Sequence, residues 1–129
     1  MTDKPLLLGS AVIGLTLPVH VFVPEPVSVQ IAALLMALIA GAYIGFGAAD
    51  GRMSAFWTEF AGAGLFGGAA LAGLLVHPLI IPAAIIAHAG WDWLHHAGFG
   101  ARIPGWYVPF CVWIDLAVGG GLIALWTLH

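Results

Sequence analysis

Charge is what this chain has least of. Its 129 residues include three Lys or Arg and six Asp or Glu, against 62% hydrophobic side chains. Too few polar groups remain to clothe a surface in water, which excludes a soluble domain and implies an integral membrane protein. No basic stripe exists to bind nucleic acid, so that partner is excluded too. Cysteine occurs once, at Cys111, so neither an internal disulfide nor a thiolate-rich metal site can be built. At about 20 apolar residues per crossing, the length leaves room for five spans at most and nothing for a soluble domain. The expectation is a single integral membrane helical domain over residues 1–129, an all-α polytopic bundle with membrane lipid as its surroundings.

Apolar runs separated by Pro, Gly and the rare charges give five candidate spans, at 6–23, 27–47, 55–76, 79–97 and 106–128. The first run follows Lys4 as in a secretory signal, but no small-x-small cleavage site follows it, so a retained first span is expected. Pro24-Glu25-Pro26 makes the first turn, because each Pro removes a donor and pushes the residue before it out of the helical region. Residues 48–54 make the second turn, His77-Pro78 marks the third, and residues 98–105 form the fourth. Pro82 sits either in the first turn of the fourth helix or at a kink within it. Lys4, Arg52 and Arg102 all fall on the N-terminal side of this arrangement, so the positive-inside rule puts the N-terminus in the cytoplasm of a multi-pass inner-membrane protein. A four-span arrangement that loses the irregular third turn is the alternative. Trp57, Trp91, Trp93, Trp106 and Tyr107 gather near the inner boundary and Trp126 near the outer one, as interfacial belts do. Gly41-x-x-x-Gly45, Gly64-x-x-x-Gly68 and Gly119-Gly120-Gly121 are the expected helix contact faces, since small residues let backbones approach in lipid.

Into this apolar chain are set Ala87-His-Ala-Gly-Trp-Asp-Trp-Leu-His-His-Ala-Gly98, which hold three of the six histidines and one of the six acids within nine residues. An ionisable group among hydrocarbon costs roughly 2.5 to 3.5 kcal/mol on insertion scales, so such a cluster marks a functional site by default. At 100° per residue His88, Asp92, His95 and His96 occupy an arc of about 100° on one helix face. Counting about 1.5 Å per residue puts His88 about 12 Å and Asp115 about 14 Å from the cytoplasmic side, with Glu59 about 8 Å deep, near Asp92. A polar pocket opening to the cytoplasm between the third, fourth and fifth spans is expected.

Imidazole and carboxylate donors without thiolate are suited to zinc, iron or manganese. His88, Asp92, His95 or His96, and Asp115 are the candidate metal ligands. A metal-bound water with a pKa of about 7 is a nucleophile, and Glu59 is the candidate catalytic base beside it. Iron in the same place would support oxygen chemistry on a lipid. Without a metal, the same groups relay protons or pair electrostatically. His95 and His96 also stand at a helix end, where imidazolium caps carbonyls and favours the dipole. His20, His77 and His129 lie towards the opposite side and read as interfacial, with a second outer site formed by His20 and His77 left open.

The stretch from His88 to His96, followed by Pro104-Gly-Trp-Tyr-Val-Pro109-Phe-Cys and Asp115, resembles a pattern in small multi-span bacterial membrane proteins grouped as a family of unknown function. That resemblance covers the last third of the chain and marks His88, Asp92, His95, His96 and Asp115 as a unit without naming a task. More loosely, the segment resembles the histidine boxes of membrane fatty-acid hydroxylases and desaturases, which carry several boxes on longer chains where this chain has one. It is similar in chemistry, though not in spacing, to zinc-dependent seven-span membrane amidohydrolases. Together these readings lead to a metal-dependent membrane enzyme acting on a lipidic or amphiphilic substrate, with zinc or iron as the divalent metal. The rival is a non-enzymatic small transporter or assembly subunit that uses the same residues to bind a proton or cation or to hold helices together.

Overall fold

Proline and glycine decide where the helices stop. The computed structural model describes residues 3–128, which form six α-helices and, among the described residues, no strand; His129 lies outside them. α1 (Lys4–Thr16) has Pro5 in its first turn, where a missing N–H is harmless. It stops where Pro18 interrupts the hydrogen-bond ladder, but Leu17 keeps helical angles (φ −63°, ψ −41°) and α2 (Val19–Phe22) resumes at once. Pro24 is extended (ψ 148°) and turns the chain into α3 (Glu25–Asp50), with Pro26 again in a first turn. Gly51 ends α3 at φ +86°, a left-handed angle that suits a residue without Cβ. Only Gly51 and Arg52 separate it from α4 (Met53–Leu75), so the two helices form a tight antiparallel hairpin. α5 (Ile80–His96) begins two residues before Pro82, which therefore sits in its first turn. His77 caps the preceding turn, its Nδ1 accepting the Leu79 N–H at 3.2 Å. α6 (Tyr107–Leu128) closes the bundle.

Four segments are long and apolar enough to cross a membrane: Lys4–Phe22, Glu25–Asp50, Met53–Leu75 and Tyr107–Leu128. α5 has 17 residues, about 26 Å of helix, and is the one that carries the ionisable cluster. α3 lies along α4, α5 along α6, and α1 against α6, while α5 also touches α4 and α3. α5 is thus shorter than each of the three helices, α3, α4 and α6, that wall its buried face. Met36, Ala40, Phe66, Ile81, Ile85, Val118 and Leu122 form part of the apolar core around it.

The close approaches differ from the expected glycine faces. A Cβ placed on Gly41, Gly45, Gly64 or Gly68 would meet nothing within 4 Å, so both four-residue glycine pairs face away from the bundle. Gly119 and Gly121 do lie at contacts, against Ile86 and Leu17. The tightest approaches between helices are Gly62, where a Cβ would come 2.4 Å from the Trp91 ring, and Gly73, where it would come 2.2 Å from Ile81. Spacing of four marks a face of a helix, but the bulk of the opposing side chain decides which face is used. Gly62→Ala is therefore expected to destabilise the protein by about 1–3 kcal/mol through overpacking. Gly64→Ala on the same helix should leave stability unchanged or raise it by up to about 1 kcal/mol. Thermal unfolding of the two variants in detergent checks this, and equal losses would contradict the packing of α4 on α5.

Candidate metal centre

α5 presents Ile81, Ile85, His88, Asp92 and His95 to the bundle, alternating steps of four and three that keep one face turned inward. Along that buried face the chemistry changes at His88 from apolar to ionisable. His88 and Asp92 are 0% exposed, as are Asp115 from α6 and Glu59 from α4. The burial follows from the central place of α5, and it obliges each polar atom to find a partner or leave a deficit of about 1–3 kcal/mol.

Two groups result. In the deeper one, His88 Nδ1 lies 2.9 Å from Asp115 Oδ2 and 3.6 Å from Asp92 Oδ1. With a carboxylate at that distance, Nδ1 donates a hydrogen to Asp115 when no ion is held, and an ion ligated by Nδ1 would take that hydrogen's place. Asp92 Oδ1 also accepts a hydrogen bond from the Tyr43 hydroxyl of α3. His88, Asp92 and Asp115 each offer one ligand atom, all within 4.8 Å of one another, so this group could hold a metal ion. His88 Nε2, Asp92 Oδ2 and Asp115 Oδ1 are buried without a hydrogen-bond partner.

The second group lies one turn nearer the end of α5. His95 Nδ1–H donates to the Trp91 carbonyl at 2.8 Å, and its Nε2 is 2.6 Å from Glu59 Oε1. One proton is therefore shared between this imidazole and carboxylate, and either holder leaves the pair neutral as a whole. The same Oε1 accepts the Ala101 N–H at 2.7 Å. Gly100 makes that approach possible: its φ is +73°, and a Cβ would stand 2.4 Å from Glu59 Oε1 and 2.5 Å from His95 Nε2. The loop of residues 98–105 thus lies directly over the pair. It is latched to the α3–α4 turn by Arg52, which donates to the Gly100 carbonyl at 3.0 Å, and by Asp50, which accepts the Arg102 N–H at 2.8 Å. Arg52 also donates to Asp50 at 2.6 and 3.0 Å, and these hydrogen bonds to the carboxylate hold the Arg52 guanidinium above its usual pKa.

Tyr43 connects the groups. Its ring centroid is 5.3 Å from that of His88 and 4.8 Å from that of His95, while its hydroxyl bonds Asp92. No protein family, curated protein or solved structure matches this chain. The chemistry of the two groups is what bears on function. A neutral His88 with two carboxylates is balanced by a divalent cation. Without one, balance requires two added protons, held either as an imidazolium with one carboxylate and one carboxylic acid or as a neutral imidazole with two carboxylic acids, because an unpaired charge in so dry a place is strongly disfavoured.

Of the residues expected at the site, His88, Asp92 and Asp115 come together. His95 and Glu59 meet each other and are separated from the three by Tyr43. His96 is exposed at the last position of α5, its ring 5.3 Å from that of Trp93, beside an apolar groove that includes Leu6, Pro109 and Trp113. It lies about 80° round the helix from His88, at the edge of the arc, where α5 turns away from the bundle. The sequence reading missed Tyr43, Asp50 and the Ala101 amide. Tyr43 had a signal: a phenol in the middle of an apolar span needs a hydrogen-bond partner, and a buried acid is the available kind.

Proposed function

We propose that this is a five-span protein of the cytoplasmic membrane, N-terminus inside, that holds a divalent cation through His88, Asp92 and Asp115. The observation that carries the reading is the convergence of three ligand atoms within 4.8 Å, with an unpartnered buried polar atom left on each of the three side chains. One imidazole and two carboxylates are suited to zinc, iron or manganese, and a divalent ion would neutralise the two acids. Two observations support the span count and orientation. At 17 residues α5 reaches the lower end of spanning length, about 17–25 residues. Arg52 and the Arg102 amide meet on Asp50, while Lys4 lines a cavity with Trp106, so the three cations gather at one end.

Between an enzyme and a cation-holding protein, closure favours the second. All three ligands are 0% exposed, so an amphiphilic substrate has no path to the ion in this closed arrangement. Glu59 Oε1 is already taken up by His95 and Ala101, and Tyr43 stands between this carboxylate and the three ligands, which places Glu59 poorly as a base on a metal-bound water. The cation in this reading is bound cargo or a structural ion of the bundle. A chelator is expected to lower the melting temperature of the detergent-purified protein, and zinc or ferrous ion to restore it. At a free ion concentration about 100 times Kd the stabilisation amounts to about 2.7 kcal/mol. An unchanged melting curve with chelator and with either ion would count against the cation, and lipid hydrolysis lost on Glu59→Gln would restore the enzyme reading.

A further inference from the structure

A second polar pocket lies at the opposite end of the bundle, where α2 and α6 end and α3 begins. It encloses about 240 Å³, and its walls include His20, Glu25, Ser28 and Trp126 with Val21 and Val23. None of these takes part in the candidate metal centre. His20 is 3% exposed and Ser28 is 1% exposed. Trp126 Nε1–H donates to Ser28 Oγ at 3.0 Å, and His20 Nδ1 lies 2.7 Å from the same oxygen.

Hydrogen-bond accounting assigns the imidazole tautomer. If Ser28 donates its hydroxyl hydrogen to Nδ1, then the indole, the hydroxyl and Nδ1 are all satisfied, and the ring hydrogen sits on Nε2. If instead Nδ1 donates to Ser28, the hydroxyl hydrogen has no acceptor in the site and Nε2 is a stranded acceptor as well. The first arrangement leaves one deficit and the second leaves two, so the first is favoured. His20 Nε2 is buried and has no partner. It is an N–H donor, in a side chain that lines the cavity, waiting for an oxygen.

Glu25 adds a carboxylate to the same wall. The chain's three cationic side chains, Lys4, Arg52 and Arg102, all belong to the other end, so none is at hand to neutralise it. The indole of Trp126 adds a surface that attracts organic cations. A free anion is disfavoured here by Glu25, and a bare hydrocarbon would leave Nε2 unpaired. We propose that this pocket binds a primary amino alcohol or its ester, with the ammonium held by Glu25 and Trp126 and the oxygen accepting from His20. Free ethanolamine and an ethanolamine lipid headgroup share that chemistry, and the apolar wall of Val21 and Val23 accommodates either.

The test uses the full chain in maltoside detergent. Free ethanolamine and an ethanolamine-headgroup phospholipid are titrated separately, with ethanol and a choline-headgroup phospholipid as controls, and binding is followed by thermal unfolding and by lipid retained in native mass spectrometry. Saturable stabilisation by at least one ethanolamine form is expected, with no effect of ethanol and a weaker one of the choline lipid. An effect of the lipid alone identifies a headgroup site, and an effect of the free amine identifies a small-molecule site; both uphold the proposal. Glu25→Gln, an exposed position outside the His20–Ser28–Trp126 contacts, should weaken apparent affinity by about tenfold. His20→Phe should weaken it too. No saturable effect of either ethanolamine form, or equal affinity in Glu25→Gln, would overturn the proposal and leave the three hydrogen-bonded residues as a tether between helices.

Discussion

His95→Leu is expected to lower the unfolding free energy by about 3–5 kcal/mol, among the largest effects of any single substitution in this protein. The reason is the state in which it leaves Glu59. That carboxyl is 0% exposed, its Oε2 already lacks a partner, and its Oε1 would keep only the Ala101 N–H. Glu59→Leu should cost a similar amount, because it strands the His95 imidazole and the Ala101 amide together. The double variant should lose much less than the sum, since no buried charge remains, although the Ala101 amide stays unpaired. Reversible unfolding in mixed micelles measures all three. Additive losses would mean that His95 and Glu59 do not form the coupled pair that their 2.6 Å separation describes.

The second large effect concerns cation retention. His88→Ala removes the only nitrogen donor of the triad and is expected to abolish binding, whereas Tyr43→Phe removes only the hydroxyl that bonds Asp92. Outer partners of metal ligands are worth roughly 10–100-fold in affinity, so Tyr43→Phe should bind about that much more weakly while keeping one ion per chain at saturation. Competition with a chromogenic chelator reads both variants on one scale. If Tyr43→Phe binds as tightly as the parent, Tyr43 serves packing alone.

Much of this was legible in the residues themselves. The helix boundaries lie within a few residues of the apolar runs because Pro24, Gly51 and Pro78 interrupt the chain in ways that lipid does not alter. His88, Asp92 and His95 were placed on one face by the helical period, and the structure buries all three there. Periodicity does not say how wide the covered face is, which is why His96 belongs to the ionisable arc by its spacing and yet faces outward in the fold. Nor could depth along a helix distinguish partners. Glu59 was placed level with Asp92, yet it pairs with His95, three residues and about 4.5 Å further along α5. The capping loop was the least legible part, because its hold on Glu59 runs through the Ala101 amide and the left-handed backbone of Gly100. No side-chain pattern announces a backbone donor.

Elemental analysis of the protein purified in mild detergent tests the central claim most directly. One zinc, iron or manganese per chain is the predicted result, falling to none in a His88→Ala variant whose circular dichroism remains fully helical. Folded parent protein that carries no divalent metal and takes none up on incubation, or a His88→Ala variant that carries as much as the parent, would contradict it.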